Sequence, residues 1–211
     1  MGDTPIPTED GGIKDLGVLI SANLKPSSHI AMIVRKAEYV LGLIRRGFRH
    51  LDQTSLCNLF ISLVRPILEF SSCAWSPHLK RDSILIERVQ HRFTRLFQHL
   101  IDIPYEQRLF ILGLQSLERR RIRSDMIMTF RIVHGLVDCN LEDFFTYDPV
   151  ISSRGHCLKL RVPRIPRLDA RKFNFVNRVV SRWNQLPEGV VTAPSLGIFK
   201  SMIHDSVVLN D

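Results

Sequence analysis

Acidic residues are in short supply. Aspartate and glutamate number 21 against 29 lysines and arginines, which leaves a formal net charge of +8 on 211 residues. No two aspartates stand as a close pair on a strand and turn, where two divalent cations are held for nucleotidyl transfer. There is also no glycine-rich phosphate loop, no H-E-x-x-H and no nucleophile elbow, so the usual signatures of an enzyme are missing. No apolar run approaches the roughly 20 residues of a membrane span. The opening "MGDTPIPTEDGG" carries no basic stretch followed by an apolar one, the pattern of a secretory signal. The expectation is an intracellular chain, cytoplasmic or nuclear, neither secreted nor membrane-bound. Its four cysteines, Cys57, Cys73, Cys139 and Cys157, make no C-x-x-C pair. Reduced thiols are expected, and His134, Cys139, His156 and Cys157 do not have the spacing of a zinc site.

Hydrophobic residues make up 45% of the chain, enough for a folded core. "KDLGVLIS", Lys14–Ser21, alternates as a strand, with Leu16, Val18 and Ile20 on one side. A first helix is predicted from Ser27 or Ser28, with Ile30, Val34, Ala37, Leu41 and Ile44 on one face and Gly47 as its stop. Asp52 is placed to cap a second helix whose apolar face is Leu56, Leu59, Phe60, Leu63, Val64 and Ile67. Pro66 is expected to kink or break it. "SSCAWSPH" reads as a connector.

A third helix, capped by Asp82 or Ser83, has Leu85, Val89, Phe93, Leu96 and Leu100 as its stripe, and Arg88, Arg92 and Arg95, joined by His91 and His99, on a different face. Segregated charge of this kind is the footprint of a polyanion partner or simply of a solvated face. Pro104 starts a short helix that ends at Gly113. Ser116 opens another, with Ile122, Met126, Phe130 and Val133 at helical spacing and Gly135 at its end. Arg119, Arg120, Arg121 and Arg123 crowd its first turns, where cations oppose the helix dipole. An anionic partner would relieve this, and so would Glu118 and Asp125. "NLEDFF" suggests one more helical turn. Residues 146–172 are rich in proline and basic residues and read as an extended arm. "FNFVNRVVSRWNQLP" and "SLGIFKSMIH" return to helical spacing.

The order of these short signatures resembles the C-terminal end of a reverse transcriptase (RNA-directed DNA polymerase) of non-LTR retrotransposons, the LINE elements, in the jockey-like and chicken-repeat-like clades. "KDLGVLIS" resembles the strand after the catalytic palm motifs. "LVRPILEFSSCAWSP" and "IERVQHRFTRL" resemble thumb signatures, continued by "YEQRLFILGLQSLERRRIRSDMI". "RGHCLKLRVPR" resembles the arm that follows, and "RVVSRWNQLP" with "APSLGIFK" the terminal signature. The similarity runs from about Ile6 to His204. The family's catalytic aspartates lie in an Ala-Asp-Asp turn upstream of "KDLGV" and have no counterpart in these residues.

What the resemblance implies is a transposable-element fragment. Its fold would be mainly α, a helical thumb-like bundle with a short N-terminal strand or hairpin and a C-terminal helical extension. The divisions would be a palm-edge remnant over 1–22, a thumb-like region over 23–113, a helical continuation over 114–145, the basic arm over 146–172 and C-terminal helices over 173–211. Alone the chain would not be an enzyme and would hold no cofactor, although the parent family uses Mg2+. It would keep non-specific affinity for the backbone of an RNA–DNA hybrid, RNA or DNA, as thumbs do. Arg88, Arg92 and Arg95 are the first candidates for that contact. Arg119, Arg120, Arg121 and Arg123 come second, and Arg45, Arg46 and Arg49 third. Trp75 and Trp183 fit a core better than a base-stacking platform. Two other readings stay open: a helical protein-interaction module with merely solvated basic faces, and a decayed reading frame without nucleic-acid function.

Overall fold

The structure is a computed structural model and describes residues 12–47, 52–148, 155–162 and 172–204. It is mainly helical, with one short two-stranded antiparallel hairpin near the N-terminus. The hairpin joins β1 (Ile13–Asp15) to β2 (Val18–Ile20), with Ile13 opposite Ile20 and Asp15 opposite Val18. The single strand expected over Lys14–Ser21 is therefore broken at Leu16 and Gly17. Both have positive φ, 43° and 92°. Two left-handed residues in a row make the tight turn whose twist suits a hairpin. Alternation alone could not reveal this, because Leu16 fits the strand pattern while standing almost wholly in solvent.

Among the described residues the α-helices are α1 (Ser27–Gly47), α2 (Gln53–Leu59), α3 (Arg65–Glu69), α4 (Ser72–Trp75), α5 (Lys80–Thr94), α6 (Tyr105–Ile111), α7 (Leu117–Val133), α8 (Phe175–Asn184), α9 (Glu188–Val191) and α10 (Leu196–His204). They divide into two compact units. The first is Met1–Ser71 with Trp75–Leu117, and the second is Ser72–Ala74 with Glu118–Asp211.

In the first unit, α1 buries all five residues of its expected face and adds His29 and Ile33. Asp52 caps α2 by accepting the Ser55 N–H at 3.1 Å. Pro66 does not break the helix. A π-helical turn over Phe60–Val64 carries the chain from α2 into α3, and the Arg65 N–H bonds to the Phe60 carbonyl five residues back. The wider turn accommodates the helix at a residue that has no N–H to give. It also rotates the buried face. Cys57, Phe60, Val64 and Leu68 point inward, and Leu63, expected in the core, is about half exposed. The connector after Phe70 holds the short α4, and Trp75 donates its indole N–H to the Phe70 carbonyl at 2.7 Å.

Neither Asp82 nor Ser83 caps α5, which begins at Lys80. Asp82 instead lies buried in its first turn and accepts the Ser27 hydroxyl of α1 at 2.6 Å. The stripe of α5 keeps Val89, Phe93 and Leu100 of the expected line, and buries Ile86 and Phe97 in place of the expected Leu85 and Leu96, which pack partly buried against the same core. Phe93 stacks on Phe60 with centroids 4.2 Å apart. α6 follows Pro104 and closes at Gly113 (φ 63°) as expected. There the Leu114 N–H returns to the Leu109 carbonyl and the Gly113 N–H to that of Phe110, the paired bonds of a Schellman end.

In the second unit, α7 closes in the same way at Gly135, with Leu136 bonded to Arg131 and Gly135 to Ile132. Met126, Phe130, Val179, Val180, Trp183, Val191, Phe199 and Ile203 form its core. Phe130 stacks on Phe199 at 4.2 Å. Asn174 caps α8 through the Asn177 N–H. Of the arm expected over 146–172, the described parts are docked. Tyr147 bridges Leu160 antiparallel, and Leu160 is fully buried. Asn184 accepts the Leu160 N–H and donates to its carbonyl, and Trp183 donates to the Leu158 carbonyl at 2.8 Å. Residues 149–154 and 163–171 lie outside the described set.

Candidate nucleic-acid interface

Arg88 and Arg92 stand exposed on α5, and Arg95 is the residue that ends it, also exposed. The helix is held by Ile86, Val89 and Phe93 on its other face, so the guanidinium groups look outward. Arg92 meets Glu38 of α1 in an ion pair whose two side chains are about half and one-third exposed. Such an exposed pair contributes only about 0 to 1 kcal/mol, so a phosphate can compete for Arg92.

Beside His91 lies an arginine that sequence spacing did not identify. Arg108 of α6 is 2% exposed. Its Nη2 lies 3.1 Å from Nε2 of His91, and its guanidinium carbon sits 5.5 Å over the Tyr105 ring. Its Nε and Nη1 atoms are buried without a hydrogen-bond partner. Burial and the adjacent Arg95 charge both push Arg108 below the ordinary arginine value. His91 is held down as well, first by burial and then by Arg108 and Arg95. A neutral His91 accepting from Arg108 is the arrangement these charges favour. A hint of this placement existed in the sequence: Arg108 falls at the i+3 position after Tyr105, on the inward side of a short helix whose next residue, Leu109, is core.

The acid in this region is committed elsewhere. Glu87 accepts the Tyr105 hydroxyl and the Leu117 N–H at 3.0 Å, so its carboxylate sits at the first residue of α7. Gln90 ties the same corner by donating to the Tyr105 hydroxyl and to the Gln115 carbonyl. This is the helix-end carboxylate favoured by the dipole, and it comes from α5.

The second candidate cluster, in the second unit, is drawn into the protein. Arg121 is buried, and Arg119, Arg120 and Arg123 are half-buried. Arg123 donates to the Lys200 carbonyl of α10 at 2.9 Å. Burial, and then Arg120, hold Arg123 below its ordinary value. Asp125 makes its strongest contact with Arg178 of α8, at 2.7 Å and 3.0 Å, and Arg178 also donates to the Cys73 carbonyl at 2.6 Å. The thiol of Cys73, buried near Asp125, is pushed up to about 12 and stays protonated. Of the third group, Arg45 and Arg46 are exposed in the last turn of α1, and Arg49 lies outside the described residues. Trp75 and Trp183 are both buried core residues.

No group of three or more histidine, cysteine, aspartate or glutamate side chains converges among the described residues, and no metal-dependent step is assigned to them. His134 and His156 each spend a ring nitrogen on a backbone carbonyl, of Val191 and Trp183. No described helix is long and apolar enough to cross a membrane. In comparison with family models, curated proteins and solved structures, the chain finds no match.

Proposed function

We propose that the first unit binds the sugar-phosphate backbone of a nucleic-acid duplex, an RNA–DNA hybrid above all, without reading its sequence. The observation that carries this reading is the outward arginine face of α5. Arg88, Arg92 and Arg95 are fixed in position by a buried stripe on the opposite side, and the carboxylate that meets Arg92, Glu38, makes only an exposed pair. The reading rests also on the resemblance of the ordered signatures to the thumb and C-terminal region of a non-LTR retrotransposon reverse transcriptase. On it, the chain itself adds no nucleotides, needs no Mg2+ of its own and acts inside the cell, as a clamp on template and primer.

The test is a fluorescence anisotropy titration of a labelled hybrid at several salt concentrations. Each phosphate contact should contribute roughly 0.7 to 0.9 to the slope of log affinity against log salt. Replacing Arg88, Arg92 and Arg95 together by glutamine should lower that slope by about 2 to 3 and weaken binding to all sequences alike. Glu38→Gln should act in the opposite sense. It releases Arg92 and should tighten binding about two- to fivefold, with a stability change below about 1 kcal/mol. A triple variant that keeps affinity and slope would make the face merely solvated and the chain an interaction module.

A further inference from the structure

The pair of His91 and Arg108 has a charge imbalance of its own. Arg108 is buried, two of its nitrogen atoms have no hydrogen-bond partner, and the charged group acting on it is another cation, Arg95. A buried cation without a counter-charge is costly, because it has lost its water and gained no partner. Its neighbours do not supply one. Among the described residues, His91 is held below its ordinary value and lies 3.1 Å away, Tyr105 offers its ring face, and Glu87 is committed to the Tyr105 hydroxyl and the Leu117 N–H. Arg95 is exposed at the end of α5, four residues after His91 and so on the same side of the helix.

We propose that Arg95, His91 and Arg108 form a seat for a single phosphate group, with Arg95 making the outer contact, His91 the adjacent one, and Arg108 supplying poorly screened positive potential from beside His91. A buried charge acts across the interior far more strongly than the same charge in water, so Arg108 need not touch the phosphate to hold it. A phosphate oxyanion also changes the best state of His91. Next to two cations its neutral form is favoured. With a phosphate anion seated beside it, the charged imidazolium costs less. The seat deepens the reading above and rests on it for the source of the phosphate, a backbone phosphodiester. Free inorganic phosphate has the same chemistry, and the experiment separates the two.

Inorganic phosphate is the probe. At about 10 mM it should raise the melting temperature above that in chloride of equal ionic strength, because a ligand that binds only the folded state stabilises it. The NMR titration of the His91 ring should move to higher pH on adding phosphate. Arg108→Gln and, separately, Arg95→Gln should each weaken phosphate binding about five- to tenfold. Lys36→Gln, on α1 and exposed, should leave it unchanged. Arg95 is exposed, so its variant folds and decides the matter even if Arg108→Gln does not. Absence of phosphate stabilisation beyond chloride, or an unchanged response in Arg95→Gln, overturns the seat. Hybrid that binds the wild type but leaves seated phosphate in place, seen at the His91 resonance, would assign the seat to free phosphate. Loss of hybrid binding in Arg88→Gln/Arg92→Gln tests the α5 face independently of the seat.

Discussion

Asp125 shows how much a single residue's role depends on partners distant in sequence. Read locally, it is an acid placed to soften a run of arginines. In the folded chain it is buried and bonded twice to Arg178, 53 positions away, while Arg178 also holds the Cys73 carbonyl. Removing one member of such a buried pair strands the other's charge, at a cost of about 3 to 5 kcal/mol. Asp125→Asn should therefore lower stability by about that amount in urea denaturation. The double variant Asp125→Leu/Arg178→Met should recover most of the loss, since an apolar pair of similar size leaves no stranded charge. If the double variant is as unstable as the single one, packing around α8 rather than the charge pair holds this corner. The same distance in sequence explains why Glu87 at the start of α7, and Arg108 beside His91, escape a reading of spacing along one helix.

Elements were legible where one face alone decided them. The periodicity of α1 predicts its five core residues correctly, and Asp52, Gly113 and Gly135 mark helix ends where the structure puts them, because caps act within a few residues. What could not be read is any change of winding inside an element. The π-helical turn before Pro66 moves Leu63 outward, and the turn at Leu16 and Gly17 converts one expected strand into two. The hairpin carries its own test. Leu16 is held at φ 43°, where a leucine is strained and a short polar residue is not, and its side chain is nearly all in solvent. Leu16→Asn should stabilise the hairpin by about 0.5 to 1 kcal/mol and slow amide exchange at Leu19. Unchanged or faster exchange would mean that the leucine side chain has a partner in solution.

Across the molecule's described residues, His29 and His91 in the first unit and His156 in the second are held below the ordinary histidine value. Burial is the largest cause for each. His29 also accepts the Leu19 N–H through Nδ1 at 3.1 Å, a bond that protonation at that atom removes. All three have folded values below the ordinary 6.5, so the unfolded chain takes up protons first. The stability they allow is complete above about 6.5 and is lost as pH falls from there through their folded values. Melting temperatures measured from pH 8 to pH 5 should hold steady and then decline below about 6.5. His29→Gln should blunt the decline, whereas a flat profile in the wild type would show that the three rings remain hydrated. Acidification should also lower the exchange protection of Leu19, relative to the unstructured rate at the same pH, before it affects the amides of the α7 interior.

The reach of Arg178 back to Cys73 has a consequence for synthesis. The second unit takes Ser72–Ala74 from one part of the chain and everything after Leu117 from another. A ribosome that has released residues up to Leu117 has supplied the last segment of the first unit, and that unit can begin to pack while translation continues. The Cys73 carbonyl and the Asp125 carboxylate must wait for α8, 105 and 53 residues later in the chain. At the usual 5 to 20 residues per second, that wait is on the order of seconds, with the face of α7 uncovered throughout. A nascent chain stalled near residue 150 should thus show a protease-resistant front and a sensitive α7. The arrival of α8 is the step at which the rear half becomes resistant.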